Sequence, residues 1–294
     1  MKRPSASSAS ASGRADGSFD IRNELRLRPT EDGTVDLAGY PTDTTAGIGD
    51  RKTAERAFAD IGVQLGDLHE RLLANGDRSF LVVLQGLDAS GKNGIAKHVG
   101  RFFDPSGLHV TTFGPPTAEE ARHGFLWRIR KQVPAPGTIT IFNRSHYEDA
   151  IVPVAVGAST PSEVARRIRQ IRDFEQELLD AGTVIVKCVP HISYDEQRER
   201  FLRRLTRADK QWKFSEADLD TRKRWSEFQA SYAMVLGQTD RDEAPWYIVP
   251  ADRRWYRNWA IARLLADTLA DVARPFPHTA LDVDRLRANL EAPN

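Results

Sequence analysis

Short apolar runs alternate with longer amphipathic stretches along most of the chain. Phe58, Ile61 and Leu65 recur at helical spacing and predict a helix from about Ala54 to Leu73. Later runs rich in Val and Ile predict five strands, at Phe80–Gln85, His109–Phe113, Thr138–Phe142, Val184–Val189 and Trp246–Val249. Strands that alternate with helices are joined by right-handed crossovers. The pattern therefore predicts an α/β fold with a five-stranded parallel sheet flanked by helices.

Two further helices have polar start signals. Thr160-Pro161-Ser162-Glu163 and Ser193-Tyr194-Asp195-Glu196 both match the capping box, in which a hydroxyl and a carboxylate each accept a backbone N–H. In an open parallel sheet, ligands bind beyond the carboxyl ends of the strands. We therefore expect the functional residues directly after the predicted strands.

Composition excludes several classes of protein. The 42 Lys and Arg residues almost balance the 41 Asp and Glu residues, so no overall field attracts nucleic acid. The one cysteine, Cys188, lies in a predicted buried strand, which excludes a disulfide framework and fits a reducing cytosol. No apolar run approaches about 18 residues, and the N-terminus lacks the apolar middle of a signal peptide. We expect a cytoplasmic protein with neither nucleic-acid nor membrane partners.

The first predicted strand runs into the sequence GLDASGKNG, which has a phosphate-binding pattern. Gly86, Gly91 and Lys92 occupy the fixed places of G-x-x-x-x-G-K between a strand and a helix. Backbone N–H groups of the loop would point at phosphate oxygens, and Lys92 would supply a mobile charge. The predicted phosphate-binding residues of this loop are Ala89, Ser90, Gly91, Lys92, Asn93 and Gly94.

One position departs from the usual loop. Asn93 replaces the Ser or Thr that normally ligates Mg²⁺. Asp88 lies inside the loop, where a carboxylate would repel phosphate unless a cation lay between them. We therefore interpret Asp88 as a Mg²⁺ ligand, directly or through water.

The third predicted strand ends in the polar sequence NRSHYED. Asn143 takes the place where nucleoside-triphosphate enzymes orient a metal, and Arg144 can bridge phosphoryl oxygens with its planar guanidinium group. The cluster is too polar for a buried segment, so we expect four of its side chains to face the cleft: Arg144, His146, Glu148 and Asp149. For His146 we expect an orienting or packing role rather than catalysis.

The helix that begins near Tyr194 is strongly basic. Arg200, Arg203, Arg204 and Arg207 share one face, and Lys210 and Lys213 follow. Beside a phosphate loop, such a face suits a lid over about residues 194–215 that closes on a polyanion and excludes water. Further arginines in the preceding helix supply more positive charge than one nucleotide needs. A long, multiply charged phosphate substrate follows from this.

Together these motifs resemble the polyphosphate kinase 2 family of P-loop enzymes, which move phosphoryl groups between inorganic polyphosphate and nucleotides. The resemblance runs from about Arg51 to Pro277 and rests on GLDASGKNG, PPTAEEARHGFLWR, IFNRSHYED, HISYDEQRERFLRRL, DKQWKFSEADL and APWYIVPADRRWYRNWA. The form Asn143-Arg144-Ser145-His146-Tyr147-Glu148-Asp149 looks like the class III branch, which implies AMP and ADP as acceptors.

The resemblance also implies roles for single residues. Asp88 and Asn143 would lie near Mg²⁺, Lys92 and Arg144 on the transferring phosphates, and Glu148 near the acceptor phosphate. The arginines of the lid helix, Arg200, Arg203 and Arg204, would clamp the polyphosphate. Two positive charges usual in class III are missing, because Gly114 replaces a lysine and Val154 or a neighbour replaces an arginine.

We expect residues 1–18 to be a disordered tail, 19–52 an irregular arm, 53–277 a P-loop kinase domain with the lid, and 278–294 a C-terminal tail. The predicted activity is Mg²⁺-dependent, reversible transfer from polyphosphate to AMP or ADP by a homo-oligomer. Two alternatives stay open at this point: an ATP-dependent small-molecule kinase of thymidylate or shikimate type, and a weakly active polyphosphate-binding protein.

Overall fold

The computed structural model describes residues 19–31 and 33–292. The predicted disordered tail, residues 1–18, lies outside the described residues. Within the described part of the chain, no helix is both long and apolar enough to cross a membrane.

A five-stranded sheet forms the centre of the molecule. Its strands are β1 (Ser79–Leu84), β2 (Leu108–Thr112), β3 (Ile139–Asn143), β4 (Thr183–His191) and β5 (Trp246–Pro250). All neighbours pair in parallel, in the order β2-β3-β1-β4-β5. The prediction of a five-stranded parallel sheet flanked by helices is confirmed, with strand ends that differ by a few residues at most.

Helices cover both faces of this sheet. They are α1 (Ile21–Leu25), α2 (Arg51–Asn75), α3 (Lys92–Gly100), α4 (Leu126–Arg130), α5 (Glu148–Ala155), α6 (Pro161–Asp180), α7 (Tyr194–Thr206), α8 (Glu216–Lys223), α9 (Trp225–Thr239), α10 (Arg254–Val272) and α11 (Val283–Glu291). Single-turn 3₁₀ helices span Leu37–Gly39 and Glu120–Arg122, and a longer one spans Ala208–Lys213.

Two apolar cores lie on opposite faces of the sheet. On one face, Leu65 of α2 and Leu264 of α10 pack with Val82 of β1. On the other face, Phe174 of α6 and Val235 of α9 pack with neighbouring residues of β1. Because β1 contributes to both cores, all six of its residues are buried. Its rigid carboxyl end positions the phosphate-binding sequence.

The helix caps agree with the sequence in one case and differ in the other. Thr160 and Glu163 form the predicted reciprocal capping box at α6. At α7, the Ser193 hydroxyl accepts the N–H of Glu196 as predicted. The capping-box prediction is wrong for the reciprocal bond, because the Glu196 carboxylate does not accept the N–H of Ser193. The Glu196 side chain instead pairs with two arginines of its own helix, Arg200 and Arg203.

The segment predicted as an irregular arm is attached to the sheet. The N–H of Leu27 donates to the carbonyl of Trp246 at 2.8 Å, and Arg26 forms an antiparallel bridge with Tyr247. This segment contains α1 and a 3₁₀ turn, and α2 begins within it at Arg51 because Asp50 caps that helix. At the other end of the chain, α11 lies within the predicted C-terminal tail and buries none of its residues.

A buried ion pair lies on the face of the sheet that α6 covers. Lys187 Nζ donates to Glu175 at 2.8 Å and to the carbonyl of Thr239 at 2.9 Å, and the Tyr147 hydroxyl donates to Glu175 at 2.6 Å. Burial alone would raise the pKa of Glu175, but Lys187 and His146 lower it to about 2. Glu175 is therefore ionised and fully partnered inside the core.

Replacement of Glu175 by alanine leaves Lys187 as an uncompensated buried charge. We expect Glu175→Ala to lower the free energy of unfolding by about 3–5 kcal/mol. Denaturant unfolding followed by circular dichroism measures this change. The matched control is Asp220→Ala, which breaks an exposed pair with Lys223 and should change stability by less than about 1 kcal/mol. Equal changes in the two variants would contradict the buried ion pair.

Candidate active site

The phosphate-binding sequence forms a tight loop between β1 and α3. Ala89 has a φ of 64° and Gly91 a φ of 107°, both in the left-handed region. A side chain at Gly91 would also collide with the guanidinium group of Arg257. The loop therefore needs glycine at this position for two reasons, its backbone conformation and the space beside it.

Lys92 begins α3 and is buried beneath the loop. Its Nζ donates to the carbonyls of Gly86 and Leu87, at 2.5 and 3.1 Å. Burial lowers the pKa of its ammonium group. An ammonium group that is poorly solvated and held by neutral carbonyls can bind an anion strongly.

Asp88 and Arg144 join the loop to the end of β3. The guanidinium group of Arg144 donates to Asp88 Oδ1 at 2.8 Å. Arg144 itself has a φ of 63°, which is unusual for a residue with a side chain and is held in place by the surrounding structure. Although burial opposes the charge, the carboxylates of Glu148 and Asp88 raise the pKa of Arg144.

Asn143 lies next to this ion pair and keeps one buried oxygen without a partner. Its amide nitrogen donates to Asn93 at 2.8 Å and to Thr112 at 3.2 Å, whereas its Oδ1 has no hydrogen bond. A buried acceptor without a donor is the atom that a cation would satisfy. The described residues contain no group of three or more Asp, Glu, His or Cys side chains placed so that together they could hold a metal ion. Few protein ligands are typical of Mg²⁺, which binds one or two carboxylates together with substrate phosphates.

The arginines of α7 have different surroundings. Arg200 is buried and donates to the carbonyls of Ala89 and Ser90 at 2.9 and 3.1 Å. Arg203 pairs with Glu196, and Arg204 lies 3.4 Å from Asp218. Arg200 thus attaches α7, the helix predicted to be a lid, to the loop after β1, while Arg203 and Arg204 extend from it.

A groove of about 620 Å³, here named the basic groove, is lined by the loop after β1, by α7 and by the 3₁₀ helix Ala208–Lys213. Among the described residues, ten Lys and Arg side chains line it against two carboxylates, those of Asp88 and Asp218. The basic side chains are Lys92, Arg144, Arg200, Arg203, Arg204, Arg207, Lys210, Lys213, Arg254 and Arg257. All the predicted loop residues from Ala89 to Gly94 except Ser90 line the groove as well.

Sequence reasoning assigned no role to Arg254 and Arg257, which begin α10 directly after β5. Arg257 is buried and donates to the carbonyl of Ser90 at 3.2 Å. Burial and the nearby charges of Arg200 and Arg254 lower the pKa of Arg257. The sequence did contain a signal for a role in the groove, since both arginines follow the carboxyl end of a predicted strand and are spaced to share one helix face.

A second cavity of about 500 Å³, here named the strand-end cavity, opens on the other side of Asp88 and Arg144. Its wall contains the rings of Phe113, Phe228 and Tyr232 together with charged groups. The strand-end cavity and the basic groove share four residues: Asp88, Arg144, Ser215 and Asp218. A group bound in one cavity can therefore meet a group bound in the other beside the Asp88–Arg144 pair.

The strand-three cluster divides between cleft and core. Arg144, Glu148 and Asp149 line the strand-end cavity, as expected. The expectation was wrong for the side chain of His146, which is fully buried, packs on Tyr147 and Phe174, and lies 3.4 Å from Glu175. Its partners are in the core because α6 crosses behind this loop. The predicted packing role of His146 agrees with that position.

The two positions that lack the expected positive charge have different surroundings. Gly114 lines the strand-end cavity, and its carbonyl accepts a hydrogen bond from Arg128 at 2.8 Å. Val154 lies in α5 but does not line the cavity, although its neighbours Val152 and Pro153 do. The absence of a charge at Gly114 therefore affects the strand-end cavity directly.

Comparisons with known proteins agree with this geometry. The model of the family described as polyphosphate kinase 2 matches residues 49–276. The chain is 43% identical over 256 residues to the AMP/ADP-polyphosphate phosphotransferase of Meiothermus ruber, covering 86% of this chain and 95% of that protein. It is 34% identical to the ADP-polyphosphate phosphotransferase of Rhodopseudomonas palustris, covering 86% and 92%.

Structural similarity extends over nearly the whole molecule. The crystal structure of polyphosphate kinase 2 from Arthrobacter aurescens superposes with a TM-score of 0.89 at 37% identity, covering 93% of this chain and 97% of that one. The family resemblance predicted from the motifs is confirmed. The chain belongs to the polyphosphate kinase 2 family.

Proposed function

We propose that this protein transfers phosphoryl groups from inorganic polyphosphate to AMP and ADP, forming ADP and ATP reversibly. One observation carries the proposal: the basic groove and the strand-end cavity meet beside the Asp88–Arg144 pair. The name of the relative from Meiothermus ruber supports polyphosphate with AMP and ADP, and that of the relative from Rhodopseudomonas palustris supports polyphosphate with ADP.

The basic groove is the donor site in this proposal. Ten basic side chains against two carboxylates form a strongly positive surface, which extends from Lys92 along the lid to Lys213. A triphosphate needs only a few of these charges. A long phosphate polymer would use more of them, and its terminal phosphoryl group would lie over the backbone of the loop.

The strand-end cavity is the acceptor site. Its volume of about 500 Å³ and its aromatic wall suit a nucleoside, which is largely apolar on its ring faces. The charged edge at Arg144 suits the phosphate of that nucleotide. The acceptor phosphate would then face the donor phosphoryl group at the point where the two cavities meet.

The chemistry is an in-line displacement at the terminal phosphorus of the polymer. An oxygen of the acceptor phosphate forms the new P–O bond, while the bridging oxygen leaves on the shortened polymer. The attacking oxygen is already ionised near neutral pH, so no strong general base is needed. Lys92 and Arg144 would neutralise the charge on the transferring group, which is the main catalytic requirement of phosphoryl transfer.

Mg²⁺ fits the residues at this point. The Asp88 carboxylate and the unpartnered Oδ1 of Asn143 would hold it, together with substrate phosphates. When bound, Mg²⁺ supplies positive charge that neutralises phosphoryl oxygens. Arg144, which contacts Asp88 at 2.8 Å, would bind phosphoryl oxygens beside it.

The donor assay tests the proposal as a whole. AMP, polyphosphate and Mg²⁺ should yield ADP and then ATP, and excess EDTA should stop the reaction. Chromatography of the nucleotides measures both products. Binding of polyphosphate without any product would indicate a binding protein. Phosphorylation of a small molecule by ATP alone would indicate an ordinary kinase.

Removal of the loop lysine should strongly lower turnover. We expect Lys92→Ala to lower kcat by about 10²–10³, because the transferring group loses its charge stabilisation. The control is Lys97→Ala, an exposed lysine of the same helix that does not line the basic groove. Circular dichroism checks that both variants are folded. Retention of more than about a tenth of the activity would contradict the role of Lys92.

The lid arginines should contribute to the binding of polyphosphate and not to the binding of AMP. We expect Arg203→Ala to raise the KM for polyphosphate about three- to tenfold, with a weaker effect at high salt, and to leave the KM for AMP unchanged. Arg198→Ala is the matched control, because Arg198 is on the same helix but outside the basic groove. Equal effects of the two substitutions would point to general electrostatic attraction instead of a contact at Arg203.

A further inference from the structure

Three successive carbonyl groups of the loop after β1 are held by side chains from outside the loop. The carbonyl of Asp88 accepts from Gln197 Nε2 at 2.9 Å, and the carbonyl of Ala89 accepts from Arg200 at 2.9 Å. The carbonyl of Ser90 accepts from Arg200 as well, at 3.1 Å. Gln197 and Arg200 are both buried and lie three residues apart on one face of α7. One helix therefore fixes the backbone of the loop.

The direction of each carbonyl group sets the direction of the N–H group that follows it. The described residues contain no cis peptide bond, and in a trans peptide the C=O and N–H bonds point to opposite sides. The N–H groups of Ala89 and Gly91 therefore point away from the side chains that hold Asp88 and Ser90. Among residues 19–31 and 33–292, neither N–H group donates to a protein acceptor. Both are left for an anion bound at the loop.

Ala89 needs support because its backbone conformation is strained. Its φ of 64° lies in the left-handed region, which the side chain of an L-residue disfavours. Such a conformation persists only where the surroundings hold it. Gln197 holds the peptide unit before Ala89, and Arg200 holds the peptide unit after it. Both backbone torsion angles of Ala89 are thus fixed from α7.

Gln197 is itself held in one orientation. Its Oε1 accepts from Arg222 of α8 at 3.1 Å, and a guanidinium group can only donate. The amide nitrogen of Gln197 must therefore face the carbonyl of Asp88. Arg222 is fixed in turn, because it donates to the carbonyl of Tyr194 at 2.7 Å and lies 3.3 Å from the centre of the Tyr194 ring.

Gln197 is neutral, whereas the other side chains that hold the loop carbonyls, Arg200 and Arg257, are charged. Asp88 also has a carboxylate, which Arg144 contacts at 2.8 Å and which would hold Mg²⁺ in the function proposed above. A cation in the place of Gln197 would compete with both for this carboxylate. An amide holds the backbone of Asp88 and leaves the side chain to Arg144 and the metal.

We propose that Gln197 is a positioning residue that orients the peptide unit between Asp88 and Ala89, so that the N–H of Ala89 faces the terminal phosphoryl group of the donor. This role rests on the function proposed above. Gln197 lines neither the basic groove nor the strand-end cavity, so it acts through one backbone carbonyl and contacts neither substrate.

Loss of this hydrogen bond should affect turnover more than the binding of polyphosphate. A long polymer can bind along the basic groove without its end seated in the loop. Poorer seating then lowers the fraction of bound polymer that can react, which lowers kcat and leaves KM almost unchanged. Arg203→Ala is expected to show the opposite pattern, a higher KM for polyphosphate.

The test compares the kinetics of Gln197→Met with those of Gln211→Met. The first substitution keeps the size of the side chain but removes the donor to Asp88. Gln211 is an exposed glutamine of the predicted lid that donates to the carbonyl of Leu205 at 2.8 Å and does not line the basic groove. In Gln197→Met, kcat should fall about tenfold, the scale of one hydrogen bond, while the KM values for polyphosphate and AMP stay within about twofold. Gln211→Met should match the wild type.

A double-mutant cycle tests whether Arg222 acts through Gln197. Arg222→Met should lower kcat less than Gln197→Met does, because the amide stays in place, and the double variant should match Gln197→Met alone. Additive effects in the double variant would overturn the proposal. A higher KM for polyphosphate in place of a lower kcat, or equal losses in Gln197→Met and Gln211→Met, would instead show general loosening of the lid and would overturn it as well.

Two further measurements keep the test decisive. If circular dichroism shows that Gln197→Met does not fold, Arg222→Met decides, because Arg222 is only half-buried, and an unchanged kcat there would contradict the role of Gln197. If the wild type forms no nucleotide product, the proposed function fails, and the calorimetric Kd for pyrophosphate then tests Gln197 by itself. This Kd should rise about three- to tenfold in Gln197→Met and stay within about twofold in Gln211→Met. An unchanged Kd in Gln197→Met would overturn the proposal.

Discussion

The ion pair between Asp88 and Arg144 is the interaction on which the site depends. It joins the loop after β1 to the turn after β3, and these two strands are adjacent in the sheet. Both residues follow strands buried on both faces, so the sheet fixes the two ends of the contact. The pair also divides the cleft, with the basic groove on one side and the strand-end cavity on the other.

A concentration of positive charge is costly unless an anion is bound. Arg257 shows this most clearly, since it is buried beside Arg200 and Arg254 and its hydrogen bonds are to neutral groups, Ser90 and Asn258. Arg257 and Arg200 donate to backbone carbonyls, which are good acceptors but do not cancel a charge, although Arg200 also pairs with the carboxylate of Glu196. The energy stored in this repulsion favours a polyanionic ligand over a neutral one.

Polar groups inside the core stabilise the site from behind. On the face that α6 covers, Glu175 and Lys187 hold Tyr147 at the start of α5, and α5 begins with Glu148. Gln85 holds the opposite side of the same turn. The turn after β3 is therefore fixed by two buried hydrogen-bond networks, which can keep Arg144 in a conformation that its side chain disfavours.

The alternation of strands and helices, the loop motif and the family could be predicted from the chain, because apolar periodicity and sequence motifs are local properties. The burial of His146 and Arg200 could not be predicted, because their partners come from distant segments of the chain. His146 lies beside Glu175, and Arg200 donates to the carbonyls of Ala89 and Ser90. The hydrogen bond from Gln85 to Glu148 could not be predicted either, because the two residues are 63 positions apart in the chain. Which polar side chain enters the cleft and which enters the core depends on the helix that packs behind it, and only the tertiary structure decides that.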